Sequence, residues 1–133
     1  MEQKQTYTFG KEEKLKSRKQ IEQLFREGKS ISVYPLRLLW MPKNNERFLQ
    51  SGVSVSSRHF KHAVDRNQIK RRMREAYRLN KNVLEQMLLD KEMKCSLFWI
   101  YTAKTVLPFN EIESACVSGL QKLIRQLTRE TSE

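Results

Sequence analysis

The apolar positions of this chain fall into blocks whose spacing changes along its 133 residues, and each spacing predicts an element. From Lys11 to Glu27, the residues Leu15, Ile21, Leu24 and Phe25 can share one helical face, and Gly28 stands where a helix stops. Ser17 offers a second start, for a shorter helix from Arg18, because Ser-x-x-Gln is a capping-box pattern. After Gly28 the apolar positions partly alternate, over Ile31, Val33, Leu36, Leu38, Leu39 and Trp40. This predicts a strand over 36–42 and a short edge segment before Pro35, where proline is tolerated. Residues 42–47 form a polar turn and 48–56 a second strand, and the two strands make an antiparallel hairpin.

From Asp65 the spacing is helical again, with Ile69, Met73, Ala76 and Tyr77 on one side. Asp65 can cap this helix and complement its N-terminal dipole. Val83, Leu84, Met87 and Leu88 either continue the stripe or, with Asn80 and Asn82 as breakers, belong to a further helix. Residues 95–102 (CSLFWIYT) are the most hydrophobic run and predict a central strand. Asn110 or Ser114 opens a last helix, with Ile112, Cys116, Leu120, Leu123, Ile124 and Leu127 inward. Residues 1–10, with Tyr7 and Phe9, form an extended lead-in, and 128–133 a fraying tail. The order predicts one α+β domain over 1–133: a small two-layer sandwich, a mixed sheet of about four strands with helices packed on it.

Charge changes the picture most in one place. Residues 58–81 hold nine Lys or Arg against two acids, Asp65 and Glu75. At roughly 100° per residue, Arg66, Asn67, Lys70, Arg71, Arg74, Arg78 and Lys81 fall within an arc of about 140°. Arg72 lies off that arc. The apolar residues occupy an adjoining arc, so one face can anchor in a core while the other presents fixed cations. The whole chain carries +11 with a pI near 9.9, a charge relieved by an acidic partner: nucleic acid, an anionic membrane surface or an acidic protein. A membrane-surface helix would expose Trp, Phe or Leu opposite its charges, and here that side belongs to the core. RNA fits better than DNA, because the pattern is no helix-turn-helix, zinc finger or basic zipper.

The remaining composition narrows the class. No run approaches the roughly 20 apolar residues of a membrane span, and the first residues lack the core of a signal peptide. Cys95 and Cys116 show no metal spacing. Two buried thiols in a reduced, cytoplasmic setting are expected, and a disulfide between them stays open. His59 and His62 lack acidic or Cys neighbours for a metal. No P-loop, GxGxxG or nucleophile elbow is present, and the glutamates are scattered over helix surfaces. Side-chain catalysis is not expected.

The run 54–58 (SVSSR), followed by 63–78 (AVDRNQIKRRMREAYR), resembles the protein subunit of bacterial ribonuclease P. The helical part meets every fixed position of A-x-x-R-N-x-x-K-R-x-x-R-E-x-x-R, and the likeness extends over Lys14-Leu15-Lys16, Phe25-x-x-Gly28, the strand at 95–102 and the last helix. The resemblance implies a left-handed crossover between two parallel strands joined by the signature helix. It also implies that a large RNA subunit, with Mg2+, removes the 5′ leader from precursor tRNA. Arg58, Lys61, Arg66, Asn67, Lys70, Arg71, Arg74 and Arg78 would then face the catalytic RNA. The leader would lie in a cleft between the sheet and a helix, with Phe25, Ile21, Tyr34, Trp40, Ser54 and Ser56 as candidates. Ile21 replaces an aromatic of the family and Ser57 a lysine. No protein-held metal and no stable protein partner are expected. General RNA binding without a ribozyme is the runner-up, and a protein-only nuclease the third reading.

Overall fold

Ser17, rather than Lys11, starts the first helix. The computed structural model describes residues 14–15, 17–42 and 49–131, with helix α1 at Arg18–Glu27 and Ser17 Oγ accepting from Gln20 N at 3.4 Å. Upstream, Leu15 N donates to Ser51 O at 2.8 Å, and Lys14 forms a parallel bridge with Ser51. These residues extend the sheet edge, which corrects the longer helix. Gly28 ends α1 in extended backbone (φ −71°). A Cβ there would lie 2.4 Å from Leu24 O and 3.2 Å from Trp40 O, so only glycine fits. The lead-in with Tyr7 and Phe9, the turn over 43–47 and Phe48 lie outside the described residues.

Four strands follow: β1 Lys29–Val33, β2 Leu36–Pro42, β3 Leu49–Val55 and β4 Cys95–Tyr101. The hairpin is β1–β2, closed by a turn with a cis Tyr34–Pro35 bond. The expected β2–β3 hairpin does not form. The sheet order is β1-β2-β4-β3, with β4 antiparallel to β2 and parallel to β3. Burial explains the insertion. Six of the seven β4 residues are buried, so this strand needs cover on both faces and takes an inner position. β3, with Gln50, Ser51, Gly52 and Ser54, supplies less apolar surface and lies outside it.

Helices α2 (Ala63–Asn80) and α3 (Asn82–Asp90) connect the parallel neighbours β3 and β4, and α4 (Phe109–Thr131) follows β4. The break after Asn80 is real. Its Nδ2 donates to Ala76 O at 2.8 Å and to Glu113 Oε2 at 3.1 Å. One sheet face carries Ile31, Leu38, Trp40, Leu97 and Trp99 against α2, α3 and α4. The other carries Leu39 and Phe98 against Leu15 and Leu24 of the N-terminal segment. Cys95 and Cys116 are free thiols in the first core. Burial pushes Cys95 up to about 12 and raises Cys116 as well.

Candidate nucleic-acid interface

Helix α2 begins two residues before the expected cap. His62 is its N-cap, without a side-chain bond, and Asp65 sits inside the first turn. Asp65 therefore complements the helix dipole but does not cap. Ile69, Met73, Ala76 and Tyr77 are buried, as their spacing predicts. On the outer side Asn67, Arg71 and Arg74 are exposed, with Lys70 and Arg78 half-buried. Asn67, Arg71, Arg74 and Arg78 line an open groove of about 440 Å3 together with Lys14 and Glu75. Glu75 pairs with Arg78, which holds that guanidinium against the helix, while Arg71 and Arg74 are exposed.

Arg66, Arg72 and Lys81 behave differently from one another. Arg66 Nη1 donates to Phe60 O at 2.6 Å and to Lys61 O at 2.9 Å. It thus fixes the loop that presents the exposed Arg58 and Lys61, besides belonging to the cationic face. Arg72 points elsewhere, its Nη1 donating to Leu107 O at 2.6 Å and tying α2 to the segment before α4. That agrees with its place off the arc. Lys81 is a correction. The break turns it inward to 1% exposure, with Nζ 3.2 Å from Glu85 Oε2. His59 and His62 are exposed in the basic loop, and among the described residues no three His, Cys, Asp or Glu gather where they could hold a metal.

The second candidate region is the sheet face beneath α1. Phe25 is 57% exposed and its ring meets Phe98 edge-on, centroids 5.8 Å apart. Ile21 packs on the same cluster, with Ile100 at its margin. Ser54 stands in register with Ile100, which stands in register with Arg37. These three share one face, because alternate strand residues point to the same side. Ser56 follows at the end of β3, its Oγ accepting from Arg58 N at 3.2 Å.

Two expected cleft residues lie elsewhere. Trp40 is fully buried on the opposite face, in the core with α2, α3 and α4, and Lys29 Nζ sits 5.1 Å from its ring centroid. A one-residue slip in alternation separates the faces, and the β2 residue beneath α1 is Leu39. Tyr34 is 71% exposed but lines, with Val33, Pro35, Leu107 and Glu111, a groove on the α4 side. Arg37 and Lys14 were missed as candidates. Arg37 was findable, since it alternates with the inward Leu36 and Leu38. Lys14 was not, since its place comes from the bridge to Ser51.

Comparison with known proteins agrees with this architecture. A family model for ribonuclease P matches residues 9–124. The chain is 34% identical over 120 residues to the ribonuclease P protein component of Porphyromonas gingivalis, covering 89% of this chain and 88% of the relative. It is 36% identical over 115 residues to that of Clostridium botulinum, covering 84% and 95%. The RNase P protein from Thermotoga maritima superposes with a TM-score of 0.66 at 23% identity, over 83% of this chain and 96% of that one. The Staphylococcus aureus RNase P protein gives 0.65 at 17%, over 84% and 94%. At such identities the structural likeness speaks for the mixed four-stranded α+β fold alone. On the length of the family match and the identity of the relatives, the chain belongs to the ribonuclease P protein family.

Proposed function

We propose that this chain is the protein component of a ribonuclease P ribonucleoprotein, in which a catalytic RNA removes the 5′ leader of precursor tRNA. The outer face of α2 docks the RNA subunit, and the sheet face beneath α1 takes the leader. One observation carries the reading: α2 and the Lys14 bridge bring four cations and Asn67 around a single open groove. Arg forks match phosphate oxygens, and Asn67 can bond sugar or backbone groups. Such contacts position an RNA without reading its sequence.

The leader contact rests on Phe25, Ile21, Ser54 and Ser56, with Arg37 added. The exposed Phe25 ring offers a base a stacking surface. Arg37, whose Nε donates to Ser30 Oγ at 2.9 Å, offers a phosphate a cation. Mg2+ in this reading is held by RNA phosphates. The described residues offer no three-residue acidic, His or Cys cluster for it, and the chain's own task is to bind and orient.

Reconstitution decides between this reading and its rivals. With a bacterial ribonuclease P RNA at low Mg2+, the protein should raise cleavage of precursor tRNA, and protein alone should give none. Robust cleavage by RNA-free protein would sink the division of labour. Equal binding of unrelated structured RNAs, with no stimulation of the ribozyme, would favour general RNA binding.

A further inference from the structure

Among the described residues, nothing pairs with the sheet edge farthest from the cationic groove. β1 (KSISV) is the outer strand beside β2. Its turn closes on the pair Val33–Leu36, which directs the backbone N–H and C=O groups of Ser30 and Ser32 out of the sheet. Among the described residues, no backbone bond beyond the β1–β2 ladder takes them. Edge strands are normally closed by proline, a bulge or inward charge. β1 has only Lys29, at its first position.

Beside this edge lies a stripe of α4. Glu111, Ser114, Ser118, Lys122 and Arg125 fall within roughly 80° of arc at about 100° per residue. Glu111, Ser114 and Ser118 line, with Val33 and Tyr34, a groove of about 430 Å3 that contains no Lys or Arg. On a chain of net charge +11, that is the wrong chemistry for RNA.

We propose that β1 pairs with β1 of a second copy of this chain, antiparallel, about a two-fold axis through Ile31. Three independent features meet on that axis. The register sets Ser30 opposite the second copy's Ser32, so the outward groups bond each other. It also sets the exposed Tyr34 opposite Gly28, where a ring can cover a position without a side chain.

The second feature is helix spacing. α4 lies over both β1 and β2. With strands about 4.8 Å apart, the two copies of α4 come to lie roughly 10 Å apart, at the upper end of ordinary helix packing distances. Ser114 and Ser118 are small enough to allow that approach.

The third is charge. Val33 and Tyr34 sit against the Glu111–Ser118 stretch. Ile31, roughly 7 Å back along β1, is therefore level with α4 near Ser118, given about 1.5 Å rise per helical residue. An axis there sets Ser118 opposite itself and Glu111 opposite Arg125 of the second copy. Acid meets base twice across the seam.

Repulsion between the two α2 faces is screened at this edge. The α2 cations line their groove with Lys14, which is bridged to β3 at the other sheet edge, and surface charges are screened over about 8 Å at physiological salt. Both α2 faces and both sheet faces beneath α1 stay clear of the seam, so the pairing does not depend on what α2 binds. This departs from the expectation of no stable protein partner.

Sedimentation equilibrium of the full, RNA-free chain tests the pairing. A monomer–dimer equilibrium is expected, with Kd raised at least about tenfold by Glu111→Arg and by Arg125→Glu separately. The two changes together should restore it to within about threefold, because acid again meets base. Ser32→Pro, which blocks an outward N–H, should abolish the dimer while circular dichroism stays native. Should that variant unfold, the charge exchange alone decides. A monomer at every accessible concentration, or a dimer in which the double variant is no tighter than the single ones, would overturn the proposal.

Discussion

Arg72 and Arg74 stand two positions apart on α2 and do different work. Arg72 donates to Leu107 O, a charge-assisted bond that ties the segment before α4 to α2. Arg74 faces the open groove. Arg72→Ala should therefore cost about 1–3 kcal/mol of folding stability and leave the salt dependence of RNA binding unchanged. Arg74→Ala should do the reverse, making the slope of log affinity against log salt shallower by about one while the melt stays put. Denaturant titration and binding across a salt series check both. The two cysteines give a residue-scale test of the core. Burial raises the Cys95 thiol from 9.0 to about 12, so the unfolded thiol ionises first as pH rises. Its contribution to stability is whole below 9 and is lost as pH climbs from 9 towards 12. At a pH of about 8 the native protein should resist thiol alkylation and react only once unfolded. Rapid labelling of native protein would contradict a closed core.

At the scale of elements, α1 is fixed at both ends by single residues. Ser17→Ala removes the bond to Gln20 N and should cost about 1 kcal/mol. Gly28→Ala forces a Cβ to within 2.4 Å of Leu24 O and should cost about 2 kcal/mol or more. Because α1 roofs the sheet face that carries Phe98 and Ile100, both changes should also weaken binding of a leader-bearing substrate more than of mature tRNA. Comparing those two ligands measures it. Most elements were legible because local pattern dictated them: the buried stripe of α2, the strand at 95–101, the amphipathic α4. The strand order was not. Which neighbour β3 chooses depends on the burial of β4, forty residues downstream by sequence and invisible to local alternation. The cationic face was legible up to Asn80; the break that Asn80 and Asn82 offered as an alternative turns Lys81 inward, which a single continuous helical period does not show. The sheet face beneath α1 was only half legible, since Pro35 interrupts the alternation that would set Leu39 and Arg37 on that face and Trp40 on the other.

At the scale of the molecule, the sheet separates the surfaces. The α2 groove, with Lys14 at the β3 edge, lies at one side; α1 covers one sheet face; β1 forms the far edge. No helix among the described residues is long and apolar enough to cross a membrane. The charge is concentrated where a rigid helix can present it, and the apolar face of that helix is committed to the core. Cations held this way bind a polyanion by releasing its counterions, so affinity should fall steeply with salt. Docking through α2 is tested most directly by the salt dependence of affinity for ribonuclease P RNA, comparing the native chain with a variant in which Lys70, Arg71 and Arg74 are all alanine. A slope shallower by about two to three is expected, with weaker binding at low salt and an unchanged melting transition. Native affinity and slope in that folded variant would show that α2 is not the docking face.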